Sequence, residues 1–161
     1  MMMKLNGNVM LRGAVNEGGS IQSFYVKNDQ KNLISMFFEL PNRQISVGDK
    51  WTLAINFISM DQNFTCDSSF KKNAVTLIDL KQTGGQTIAV LKYDIEEFVL
   101  GDFNSPMTGG SKKTTMKMIF NAIAEFSIEK GRWVNYDGIL SLKATGVMTS
   151  ATTKKVKLTA E

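Results

Sequence analysis

The chain has 161 residues, 43% hydrophobic and 21% charged, with a net charge of +4, ordinary proportions for one globular domain. Histidine is absent and Cys66 is the only cysteine. This removes Ser-His-Asp and Cys-His nucleophilic machinery, any internal disulfide and any Cys-based zinc cluster.

In chain order, "NEGGS" at 16–20 reads as a loop. In "NDQKNLISMFFELP", Leu33, Ile34, Phe37 and Phe38 fall on one helical stripe. Asn28 or Asp29 is suited to cap its start and Pro41 to end it. One short helix over about 29–39 is therefore expected, with a buried strand through "MFFEL" as the rival. A loop, "NRQISVGD" at 42–49, follows. "KWTLAINF" then alternates Trp51, Leu53, Ile55 and Phe57 against Lys50, Thr52, Ala54 and Asn56, the pattern of a half-buried strand.

"DQNFTCD" places Asp61, Asn63, Thr65 and Asp67 at every second position, as a calcium loop begins. Position six is Cys66 where such a loop has glycine, and position twelve is Lys72 where it has glutamate, so no metal is expected and a polar turn is. The same residues contain the glycosylation sequon Asn63-Phe64-Thr65. Cys66 is expected as a buried structural thiol. "NAVTLIDL" is apolar on both faces, as in a central strand. Gly84-Gly85, between two strand-like runs, predicts a hairpin.

"YDIEE" gathers Asp94, Glu96 and Glu97. On a strand, Asp94 and Glu96 share a face while Glu97 points the other way. Two carboxylates on one face are the equipment of a glycosidase, but far more often a solvated surface. "NSPMTGGSKK" at 104–113 reads as a loop; it lacks the first glycine of a phosphate loop, and "MKMIF" after it alternates as a strand. In "MKMIFNAIAEFSI", Met116, Met118, Phe120, Ala122, Ala124, Phe126 and Ile128 form one face, long enough to need a bulge or bend.

Glu129–Arg132 has the chemistry of a tight turn, and Asp137-Gly138 that of a second. Between them "RWVNY" reads as a short strand with Trp133 and Asn135 on one face, opposite Val134 and Tyr136, and with Arg132 and Trp133 on opposite sides. Trp133 is expected as a packing anchor. "GILSLKATGVM" puts Leu140, Leu142, Ala144 and Met148 inward. "TSATTKK" at 149–155 reads as a loop, and "KKVKLTA" as a last strand with Val156 and Leu158 inward.

The lysines are dispersed in three groups, Lys71-Lys72, Lys112-Lys113-Lys117 and Lys154-Lys155-Lys157, with only three arginines. They read as solvated faces, and no nucleic acid is expected as a partner. No apolar run approaches the roughly 18 residues of a membrane helix.

Long alternating runs and short turns predict a mainly β fold: a curved antiparallel meander sheet, or a half-open barrel, with the short helix covering one face. The chain reads as a single β-rich domain over 1–161. Three methionines run straight into a strand-like segment without a secretory-signal pattern, which fits a trimmed mature domain. Ten methionines are many. Met116, Met118 and Phe120, with Trp133 and Tyr136, are the candidate ligand- or partner-binding residues, through a Met-lined apolar groove.

Two segments, "FFELPNRQISVGDKWTL" and "AEFSIEKGRWVNYDGILSLKATGVM", combine a VGDxW strand with a later AxFxxxxGRW hairpin. Over roughly residues 36–148 this resembles a group of uncharacterised bacterial cell-envelope lipoproteins. The resemblance implies a mostly β domain exported to the cell envelope, periplasmic or outer-membrane-associated, and supplies no catalytic residues. The expected function is a non-catalytic envelope domain that binds a partner protein or envelope component, without a cofactor. The alternatives are a carrier of apolar or lipid-like ligands and a carboxylate-based glycan hydrolase using Asp94 or Glu96.

Overall fold

The computed structural model describes residues 12–15, 21–25, 32, 35–37, 39–60, 62–107 and 109–159. Leu33, Ile34 and Phe38 of the expected helix, the 16–20 loop and Asp61 lie outside them.

Two strands, β1 (Arg12–Val15) and β2 (Ile21–Tyr25), pair antiparallel. The remaining six form one open antiparallel sheet in sequence order: β3 (Lys50–Trp51), β4 (Phe64–Thr83), β5 (Gln86–Asn104), β6 (Ser111–Ser127), β7 (Arg132–Thr145) and β8 (Ser150–Thr159). Of the two architectures expected, the open meander is the one adopted. Its hairpins are short because the turns carry the right residues. Gly84 and Gly85 take φ of +58° and +74°, the double positive φ of a two-residue turn that matches strand twist. The β6–β7 turn closes at Gly131, whose N–H bonds Ile128 O at 3.3 Å.

Alternation sorts the side chains onto two faces. On the inner face, register aligns Val75, Tyr93, Ala122, Gly138 and Val156 across five strands. The next rows carry Leu77, Leu91, Ala124 and Tyr136, and Asn73, Ile95, Phe120 and Leu140. Tyr93, Ile95, Met118, Phe120, Ala124 and Tyr136 are almost wholly buried there. The outer face carries cross-strand ion pairs: Lys72 with Asp94, Lys117 with Glu96 at 2.7 Å, and Lys81 with Glu125 at 3.0 Å.

A bulge on β7 between Trp133 and Asn135 corrects the predicted facing. Phe126 pairs with Trp133 and Glu125 with Asn135, so Val134 is the extra residue. Trp133 therefore shares the buried face with Tyr136, while Asn135 is exposed. Asp137-Gly138 is not a turn; both lie inside β7. Gly138 serves a close approach instead, since a Cβ there would sit 2.9 Å from both Ala122 Cβ and Phe120 Cε2.

Other expectations change at strand ends. The loop expected at 149–155 is mostly strand, because β8 starts at Ser150, and β6 likewise begins within the 104–113 loop at Ser111. Ile128 and Met148 lie beyond the ends of β6 and β7 and are exposed. Leu158 is on the inner face by register but remains partly exposed at the sheet edge. "NAVTLIDL" is buried on one face only: Val75 and Leu77 are covered, but Ile78 at a bulge and Leu80 beyond it are not. Cys66 is exposed, on a stretch of β4 where every residue from Thr65 to Lys72 is exposed.

Candidate functional site: a latched strap and the apolar hollow beside it

The "VGDKW" stretch makes a turn that hooks the chain onto β4. Asp49 Oδ2 accepts from Ser46 N at 3.1 Å and from Arg43 Nη1 at 3.1 Å, which holds its carboxyl below the usual range. Gly48 N then bonds Leu77 O, and Leu77 N bonds Asp49 O. Pairing with β4 stops after Trp51. The alternation expected over 50–57 survives as burial without a strand, since Leu53 and Ile55 are buried while Thr52, Ala54 and Asn56 are exposed.

Residues 52–60 thus form a strap whose backbone polar groups need partners that none of the described strands supplies through its backbone. Side chains supply them. Asn73 Oδ1 accepts from Leu53 N at 3.1 Å and its Nδ2 donates to Leu53 O at 2.7 Å, so one amide imitates a strand edge. Asn32 makes the same two bonds to Asn56, each 2.8 Å. Glu39 Oε2 accepts from Ala54 N at 2.9 Å, and Lys71 Nζ donates to Ile55 O at 2.8 Å. Glu97 Oε2 accepts from Phe57 N and Ile58 N at 2.9 and 2.8 Å. Its other oxygen, Oε1, lies 3.1 Å from Lys71 Nζ, an ion pair without hydrogen-bond geometry.

The strap closes the core together with a helical turn at residues 35–37, within the span expected to be helical. Met36, Leu53 and Ile55 pack into the same buried cluster as Tyr93, Phe120, Trp133 and Tyr136. The Phe37 ring packs at a tilt against Tyr136, 4.8 Å between centroids, and Trp133 Nε1 donates to Phe37 O at 2.7 Å. Trp133 is the expected anchor, and its partner is that turn.

Four of the five candidate binding residues, Met118, Phe120, Trp133 and Tyr136, therefore lie in the packed core beneath the strap. Met116 differs. Half-buried at the far end of the strap, it lines an apolar hollow of about 210 Å³ with Met60, Phe64, Phe103, Val147 and Met148. A groove of about 400 Å³ shares Met116, Ala144 and Met148 with it and runs between Phe57–Ser59 and Leu142. A larger recess of about 520 Å³ lies by Glu39, Arg43 and Trp51, where Arg43 is already paired with Asp49.

Asp94 and Glu96 share the outer face as expected, each neutralised by a lysine. Among the described residues no three metal-ligating side chains gather, and no helix is long and apolar enough to cross a membrane. The residues that sequence reasoning missed are the strap's latches. A usable signal was present at Glu97, a polar residue in the inward phase of β5 that is otherwise apolar between Ala89 and Phe103; at Lys71 and Asn73 it was weaker, because the inward phase of β4 also carries Ser69. No protein-family model, curated protein or solved structure matches this chain.

Proposed function

We propose that the protein is a non-catalytic domain of the bacterial cell envelope that binds a partner protein or envelope component through the surface around the Met116 hollow. The observation that carries this reading is where apolar surface remains open. The centre of the inner face is filled by the strap, whereas Met60, Val147 and Met148 at the hollow are 49%, 50% and 66% exposed. Clustered apolar side chains of this kind mark contact sites, and methionines adapt to varied partners. The envelope assignment rests on the resemblance of the VGDxW and AxFxxxxGRW segments.

The hollow's apolar lining also favours a second reading, in which the hollow takes the end of an apolar or lipid-like ligand. One experiment separates the two: a photo-crosslinking residue placed at position 148, with position 92 on the outer face as control, in the source organism. A discrete protein adduct in the envelope fraction, formed from 148 alone, is expected. A lipid adduct transfers the assignment to the carrier reading. Equal labelling from both positions, no adduct, or recovery in the cytosol overturns the proposal.

A further inference from the structure

Strand β8 closes the sheet on one side, and among the described strands it pairs with β7 alone. Its outward edge therefore presents the N–H and C=O groups of a ten-residue strand to whatever extended chain can lie against it. What can lie there is decided by its side chains. On the outer face it offers Lys155 and Lys157; on the inner face it offers Lys154, half-buried Val156 and partly exposed Leu158. Lys157 is paired with Asp137 at 3.3 Å, while Lys154, Lys155 and the nearby Lys143 have no ion pair among the described residues. Every described carboxylate already has a hydrogen-bond or ion-pair partner. The positive charge of Lys154 and Lys155 at this edge thus has no ionic partner among the described residues.

Lysines on an edge strand ordinarily guard against self-association. Here they do so directly: three lysines within four residues would oppose one another if two copies paired through β8, and like charges on adjacent strands repel. The same charges select an occupant of opposite sign. The geometry points to strand addition at β8 by an extended acidic segment of a partner protein, with acidic residues beside Lys155 and Lys157 and apolar residues beside Val156 and Leu158. This rests on the reading of the protein as a partner-binding domain and names the chemistry of one partner segment.

The test uses the purified chain and three synthetic ten-residue peptides: alternating Val-Glu, alternating Val-Lys, and the Val-Glu composition with its valines and glutamates in separate blocks. The alternating Val-Glu peptide is expected to bind most tightly, to weaken as salt is raised, and to protect backbone amides of β8 from hydrogen exchange. Lys155→Glu, an exposed position with no partner to lose, is expected to weaken that peptide by about threefold or more while the circular dichroism spectrum stays unchanged. Several results overturn the inference: equal binding of the Val-Lys or block peptide, protection away from β8, concentration-dependent self-association that protects the same amides, or a single-stranded oligonucleotide that outcompetes the peptide at β8. Loss of the crosslink at position 148 with peptide binding intact would instead strike the hollow, so the two proposals fail separately.

Discussion

Glu97 and Phe57, forty residues apart, are joined by a 2.9 Å hydrogen bond from Phe57 N–H to Glu97 Oε2, and the same oxygen takes Ile58 N–H. A side chain only 6% exposed thus holds the strap to the sheet. Removing it would strand two backbone donors and take the ion-pair partner from Lys71, which keeps its bond to Ile55 O. Glu97→Ala is expected to cost about 3 kcal/mol of unfolding free energy. Glu97→Gln, which keeps an acceptor, should cost less. Urea titrations of the two variants check this, and a loss below about 1 kcal/mol for Glu97→Ala would mean that the latch does not hold the strap.

Gly138 makes a second sharp prediction. An added Cβ meets Phe120 Cε2 and Ala122 Cβ at 2.9 Å, and both of those residues are buried. Gly138→Ala is expected to destabilise by about 2 kcal/mol through overpacking. Phe120→Leu opens the space, so the double variant should be more stable than the sum of the single costs predicts, by about 1 kcal/mol. Strict additivity would show that Gly138 is not there to admit the Phe120 ring.

Much of this architecture was legible because strand alternation is a local signal. The buried phase of Met118, Phe120, Ala122 and Ala124 is written residue by residue, as is the Gly84-Gly85 hairpin. The failures share a different origin. Asp137-Gly138 carries a turn dipeptide, yet the glycine answers to Phe120 on the neighbouring strand. Trp133 changes face because of a bulge that only the pairing with Phe126 reveals. The strap has a strand's alternation, but its hydrogen-bond partners are Asn73, Asn32 and Glu97, distant in sequence. Alternation alone puts Glu97 on the face opposite Asp94 and Glu96. What could not be read is that this face is the one the strap covers.

Cys66 tests the corrected exposure cheaply. Its side chain lies on the solvent-facing stretch of β4. A thiol reagent such as Ellman's should therefore label one equivalent in the native protein, without denaturant. Lys72→Ala and substitutions elsewhere on the same stretch, Lys71 excepted, should leave stability within about 0.5 kcal/mol of the parent. Labelling that requires urea would place the thiol inside and return it to the structural role expected of a lone cysteine.

The two core tyrosines predict how the fold fails in alkali. Tyr93 and Tyr136 are 1% and 0% exposed. Burial raises both phenols above their ordinary value of 10.0, and at Tyr136 the neighbouring Tyr93 adds to the effect. The two hydroxyls are close enough to feel one another, yet Tyr136 Oη lacks a partner in hydrogen-bonding geometry. Tyr136→Phe is therefore expected to be neutral or to stabilise by up to about 1 kcal/mol. The sign of the pH effect follows from proton counting. Below pH 10 both states keep the phenol protons and the contribution is complete. As pH rises above 10 the unfolded chain releases them while the fold does not, so stability falls by about 1.4 kcal/mol per pH unit for each tyrosine. The measurement is a comparison, so that the contributions of all other groups cancel: urea titrations from pH 9 to 11.5 on the parent and on Tyr93→Phe/Tyr136→Phe. The parent should lose stability more steeply, and the tyrosinate absorbance that it gains over the double variant, which keeps Tyr25, should appear together with unfolding. Equal slopes, or tyrosinate in the folded parent beyond that of the double variant, would show that these hydroxyls reach water in the native state.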